Sequence, residues 1–133
     1  MNAVFDTNIV IDALNGVVEA DAEHGRYERV LISRITWMEV LVGAVEDDAQ
    51  ARDFLDTRFE VCPLELAVAE RAVQLRRTHR LRLPDAIIWA TALVYDALLV
   101  TRNTKDFDAA WEGIRVPYQV KRDPSTGASL VVP

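Results

Sequence analysis

Ala3-Val4-Phe5-Asp6-Thr7-Asn8-Ile9-Val10-Ile11 decides how this chain is read. Three apolar residues suit a short buried strand. Asp6, Thr7 and Asn8 are residue types that cap a helix start. Ile9, Val10, Ile11 and Leu14 continue as an apolar helix, which Asn15-Gly16 stops. A strand thus runs directly into a helix, and the alternation recurs downstream. Val30-Leu31-Ile32-Ser33 predicts a second strand, with helices expected over 35–45 and about 48–56. Phe59-Glu60-Val61-Cys62-Pro63 predicts a third strand, ended by a proline that cannot donate to a ladder. Leu66, Ala69, Val73 and Arg76 fall at helical spacing in an amphipathic helix over 65–79. Pro84, suited to a first helical turn, opens a helix running to Tyr95. Leu98-Leu99-Val100-Thr101 predicts a fourth strand, 104–111 a short helix, and 115–119 a candidate fifth strand. Short apolar strands alternating with helices point to βαβ units, hence an α/β fold whose parallel sheet is covered on both faces.

The 133 residues suit one domain, and half of them are hydrophobic, enough for a core of that size. The domain is expected over 1–120. The polar turn residues Asp123-Pro124-Ser125-Thr126-Gly127 predict a flexible tail over 121–133. No apolar run is long enough to span a bilayer, and the start lacks the pattern of a secretion signal. The single cysteine, Cys62, lies in an apolar stretch and reads as core. A soluble, cytoplasmic protein is the expectation. The net charge of −6 argues against a general nucleic-acid coat protein. Basic residues nevertheless cluster at Arg71, Arg76, Arg77, His79, Arg80 and Arg82, so an acidic molecule can still offer a positive strip.

Two predicted helices carry an odd signal. Glu39 is the only charged residue between Ile35 and Val45, and Asp85 the only one between Pro84 and Tyr95. Helices apolar on nearly all faces are expected to be buried. A carboxylate inside one is costly unless it is neutralised, hydrogen-bonded or bound to a metal. Each acid also has a plain structural reading. Asp6 can serve as an N-cap, Asp85 as a first-turn acid on the helix dipole, and Asp106 as a helix-start residue. Their joint placement says more. In a parallel sheet the strand C-termini share one edge, where open α/β sheets bind ligands. Asp6 follows the first strand there, and Asn103 and Asp106 follow the fourth. Carboxylates meeting at that edge repel one another, and a divalent cation removes the penalty. An all-oxygen donor set suits magnesium or manganese rather than zinc.

Taken in order, Asp6-Thr7-Asn8, Glu39, Leu83-Pro84-Asp85-Ala86 and Val100-Thr101-Arg102-Asn103-Thr104-Lys105-Asp106-Phe107 resemble the PIN-domain family, and more narrowly the VapC-type toxins of bacterial toxin–antitoxin pairs. The resemblance spans about 1–119. It implies a three-layer α/β/α sandwich with a parallel sheet of about five strands. It also implies a magnesium-dependent endoribonuclease (manganese is a plausible substitute), usually a homodimer, inhibited by a cognate VapB-like antitoxin. Asp6, Glu39 and Asp85 match the three nearly obligatory acids. Many relatives have an acid at the position of Asn103. Others pair an Asn there with an acid three residues on, which makes Asp106 the expected fourth acid, supported by Thr101 and Asn103. Arg102 and Lys105 would lie beside the site, and the basic run over 76–82 would hold an RNA backbone.

Two related site types are disfavoured. A receiver-type signalling domain needs an acid after the third strand, where Cys62-Pro63-Leu64 stands. A haloacid-dehalogenase-like phosphatase needs an acid two residues after Asp6, where Asn8 stands. A catalytically weak PIN-fold module that binds RNA or protein is the remaining alternative. Trp37, Val40 and Leu41 are read as core, with an antitoxin groove or a dimer face as the other reading.

Overall fold

The computed structural model describes all 133 residues. Five parallel strands form the sheet: β1 (Ala3–Phe5), β2 (Val30–Ser33), β3 (Glu60–Cys62), β4 (Leu98–Val100) and β5 (Ile114–Arg115), in the spatial order β3-β2-β1-β4-β5. The register sets Val4 beside Leu31 and Leu99, in the middle of the sheet. Successive side chains of a strand point to opposite faces. Val4, Leu31 and Leu99 accordingly join the core under α5 (Leu66–Thr78) and α6 (Leu83–Val94). Ala3, Phe5, Val30, Ile32 and Val100 enter the opposite core, under α1 (Thr7–Leu14), α2 (Val18–His24), α3 (Arg34–Gly43) and α4 (Asp48–Arg58). The central strands β1 and β4 are apolar throughout and β2 nearly so because both faces are covered, giving the expected three-layer α/β/α sandwich.

Several boundaries differ from the sequence reading, each for a local reason. α2 was not expected, because Glu19, Asp21 and Glu23 leave only Ala20 and Ala22 as small apolar residues inside it. No helix forms over 104–111. There Asn103 Nδ2 donates to Asp106 Oδ2 and the Ala110 N–H to Asp108 Oδ1, local bonds that compete with a helical ladder. β5 is Ile114–Arg115 rather than 115–119, and Pro117 follows with no N–H to give. The expected tail is folded. β6 (Gln119–Arg122) and β7 (Ser129–Val132) pair antiparallel, with Val120 and Val131 packed on the α1–α4 side of the core. The Asp-Pro-Ser-Thr-Gly stretch read as looseness is the hairpin's turn, closed by Gly127 at φ +74°.

α3 is also not the buried helix its composition suggested. Only Thr36 and Val40 are buried, while Met38, Glu39 and Val42 are exposed. Its apolar outer row lies on the surface. Trp37 and Leu41 are half-buried against the core, as expected. α6, by contrast, is buried continuously from Asp85 to Ala92.

Candidate functional site

β1 and β4 are neighbours in space although two strands lie between them in sequence, so the chain reverses its direction of growth across the sheet at this point. Such switch points leave a crevice at the strand C-termini. Asp6 leaves β1 there as the N-cap of α1, its Oδ1 accepting the Thr7 N–H at 2.8 Å. Thr101 leaves β4 beside it and donates its hydroxyl to Asp6 Oδ2 at 2.7 Å. The same hydroxyl oxygen accepts the Asn103 N–H at 3.0 Å, and the Asn103 amide donates to Asp106 Oδ2 at 3.0 Å. Glu39 arrives from α3, where its Oε1 accepts the Thr7 hydroxyl at 2.7 Å. Asp85 enters in the first turn of α6. The fold therefore gathers all four acids singled out in the sequence at one edge. Glu39 is held by this hydrogen bond and not by the helix burial first expected of it.

The electrostatics are those of a crowded carboxylate set. Asp6 is only 3% exposed and Asp85 only 4%. Burial pushes the Asp6 carboxyl up to about 6. The Thr101 and Thr7 hydrogen bonds oppose that rise, and the charges of Asp85 and Glu39 add to it. Burial also raises Asp85 above the usual carboxylate range. Arg82, 3.1 Å away, pulls it down, while Asp106 and Glu39 push it further up. One oxygen each of Glu39, Asp85 and Asp106 receives no hydrogen bond. These open oxygens face a shared negative potential, which a cation would relieve. They do not form a closed cage, since no three acid, histidine or cysteine side chains close around one point. At most two of these carboxylates would therefore reach one ion directly, the others acting through water.

Two further buried acids escaped the sequence reading, and both are neutralised within the fold. Asp12, on α1, accepts Arg102 Nε at 2.8 Å and Nη2 at 3.0 Å, and the Tyr118 hydroxyl at 2.6 Å. Glu23, on α2, accepts Arg115 Nε at 2.6 Å and Nη2 at 3.0 Å, and the Tyr27 hydroxyl at 2.5 Å. Burial raises the Glu23 carboxyl, but the bonds from Arg115 and Tyr27 outweigh it and leave it below its ordinary value. Arg102 is therefore an internal partner of Asp12 and not the free substrate contact that was expected. Its backbone N–H reaches Asn8 Oδ1 at 3.4 Å, tying the Thr101 loop to α1. An acid within the apolar run Ile9-Val10-Ile11-Asp12-Ala13-Leu14 was the available signal for Asp12. Lys105 is exposed in a cleft that Asp106 also lines.

The PIN-domain family model matches residues 3–111, which takes in all five sheet-edge residues Asp6, Glu39, Asp85, Thr101 and Asp106. The chain belongs to the PIN-domain family. Among solved structures, this PIN chain is similar to a toxin–antitoxin complex from Klebsiella pneumoniae, at 44% identity and a TM-score of 0.81, covering 88% of this chain and 98% of the other. It also matches DNA-bound VapBC from Salmonella typhimurium (23% identity, TM-score 0.70, 86% and 96% covered). VapBC-1 from nontypeable Haemophilus influenzae matches at 24% identity and a TM-score of 0.67, with 80% and 90% covered. These last two likenesses bear on the fold alone. A comparison with curated proteins found no match. The likeness in both sequence and structure is thus to a protein of a bacterial toxin–antitoxin complex. No helix is long and apolar enough to cross a membrane.

Proposed function

We propose that this PIN domain is a magnesium-dependent endoribonuclease and the toxin of a toxin–antitoxin pair. One observation carries the reading. Asp6 and Asp85 are buried together at the sheet's switch point, each pushed toward protonation by burial and by neighbouring acids, with only the exposed Arg82 as a cation among them. Burial of that kind is unfavourable in a protein that binds no cation. Asp6 and Asp85 would hold the ion directly, and Glu39 and Asp106 through water. When bound, magnesium lowers the pKa of a water for in-line attack on a phosphodiester and offsets charge growing on the phosphate. Glu39, exposed and fixed by Thr7, is placed to orient or deprotonate the attacking water. Thr101 keeps Asp6 in position, and Asn103 does the same for Asp106. The products would carry a 5′-phosphate and a 3′-hydroxyl. Arg76, Arg77, Arg80 and Arg82 are exposed and would contact the RNA backbone.

The antitoxin role is supported by the likeness to the Klebsiella pneumoniae complex and by the exposed Met38, Val42 and Val45 along α3 and its end. An uncovered apolar row of this kind suits a protein partner, either an antitoxin helix or a second copy in a homodimer. The decisive assay gives the chain, freed of any co-purifying partner, structured RNA with magnesium or with EDTA. Cleavage in magnesium alone, lost in Asp6→Ala, is expected. Cleavage that persists in EDTA or in the variant rejects the mechanism.

A further inference from the structure

Beside the acids lies a second feature that the reaction does not use. Asp106 forms part of the wall of an open cleft of about 580 Å³, shared with Thr104, Lys105, Asp108, Ala109 and Trp111. Trp111 is the one aromatic residue in it, and its side chain is only partly covered. It is unusually well braced. Its ring stacks on Trp89 of α6, nearly parallel at 5° and 5.1 Å between centroids. His79 abuts both tryptophans edge-on, at 4.9 and 5.0 Å, and buried Phe107 meets Trp89 at 5.8 Å. The backbone is pinned too. The Trp111 N–H donates to the Asp108 carbonyl, and the Trp111 carbonyl accepts the Ile114 N–H.

We propose that Trp111 is a stacking platform for one unpaired base of the RNA, next to the scissile phosphate, with Lys105 taking an adjoining phosphate. The proposal rests on the ribonuclease reading and adds to it a base-binding residue, Trp111, beside the cleaved position. A flat, rigid aromatic surface loses little entropy when a base settles on it, and every base has a face to offer. In a duplex both faces of a base are already stacked, so the platform selects loops and single strands over helices. Ammonium and indole within one cleft, at the rim of the acids, match a phosphate and its base. They do not match a purely apolar peptide.

Two measurements test this with the full-length chain. The first is fluorescence anisotropy of a labelled single-stranded decaribonucleotide, and of the same strand in a duplex, in magnesium on an Asp6→Asn background. Trp111→Leu is expected to weaken single-strand binding roughly 10-fold, in the range of a lost base stack, and to leave duplex binding unchanged. Trp111→Phe keeps single-strand binding within about 3-fold, while removing part of the tryptophan quenching seen when the strand is added. The second is steady-state cleavage of the single strand, in which Trp111→Leu raises KM and leaves kcat nearly unchanged. If Trp111→Leu binds and cleaves as the parent does, or if Trp111→Phe is as impaired as the leucine variant, the platform is wrong and the nuclease reading stands. If binding depends on Trp111 but magnesium-dependent cleavage is absent in the parent, the nuclease reading falls and the platform stands. If the single strand is neither bound nor cleaved, both fall.

Discussion

Two sets of buried acids in this fold are treated oppositely. Asp12 and Glu23 each have their own arginine, bidentate, and their own tyrosine hydroxyl. Asp6 has no arginine and Asp85 only the exposed Arg82, and both face further acids instead. Burial alone therefore does not mark a functional carboxylate. What marks it is burial without a resident cation, because the fold then tolerates a charge that only something from outside can balance.

The sharpest break of that contrast is in activity. Asp85→Asn is expected to reduce magnesium-dependent RNA cleavage by about 10³-fold, the scale of several kcal/mol of lost charge stabilisation, with no loss of thermal stability. A gel assay beside a melting curve reads both. Asp12→Asn, in contrast, should lower the melting temperature and reduce cleavage only as far as the Thr101 loop loosens.

Next in size is stability. Arg115→Met leaves Glu23 buried without its main partner and should cost about 3 kcal/mol in urea unfolding. Restoring much of that loss by adding Glu23→Gln would show that the stranded charge was responsible. An Arg115→Met variant as stable as the parent would erase the distinction between the two sets.

The pH dependence of the metal-free chain should have opposite signs at the two places. Glu23 is lowered in the folded state, so its contribution is complete above the unfolded value of about 4.3 and is lost as pH falls through the lower folded value. Asp6 is raised to about 6, so the folded state holds a proton that the unfolded chain has released. Its contribution is present below the unfolded value of about 3.9 and is lost as pH rises through about 6. At pH 8 without metal, Asp6→Asn should therefore stabilise the fold, on the order of 2 kcal/mol, measurable by denaturant titration in EDTA. The smallest effect expected is that of the ion itself. Millimolar magnesium should raise parental stability by about 1 kcal/mol and that of Asp6→Asn by less.

Legibility followed the same division. Asp6, Glu39, Asp85 and Asp106 stood out because each interrupts an apolar or cap-like local pattern, and a parallel sheet has an edge where such positions meet. The reason given for Glu39 was nevertheless wrong. The apolar residues around it do not face the core; Met38 and Val42 lie on the surface. Local composition cannot distinguish a helix buried in the core from one whose apolar face is left uncovered. Arg102 failed in the reverse way. It looked free beside the site because its partner, Asp12, lies 90 residues earlier.

The alternation of the first four strands with helices and the burial of the central strands were legible in the sequence, as was the interruption of apolar patterns by Asp6, Glu39 and Asp85. They follow from local preferences and from side-chain periodicity, which act over a few residues. Tertiary structure alone decided which acids receive an arginine, that the C-terminal residues fold back as a hairpin, and that Trp111 stacks on Trp89 beside Asp106. Those outcomes join groups distant along the chain, and the free energy of each depends on burial and geometry that exist only once the layers have closed.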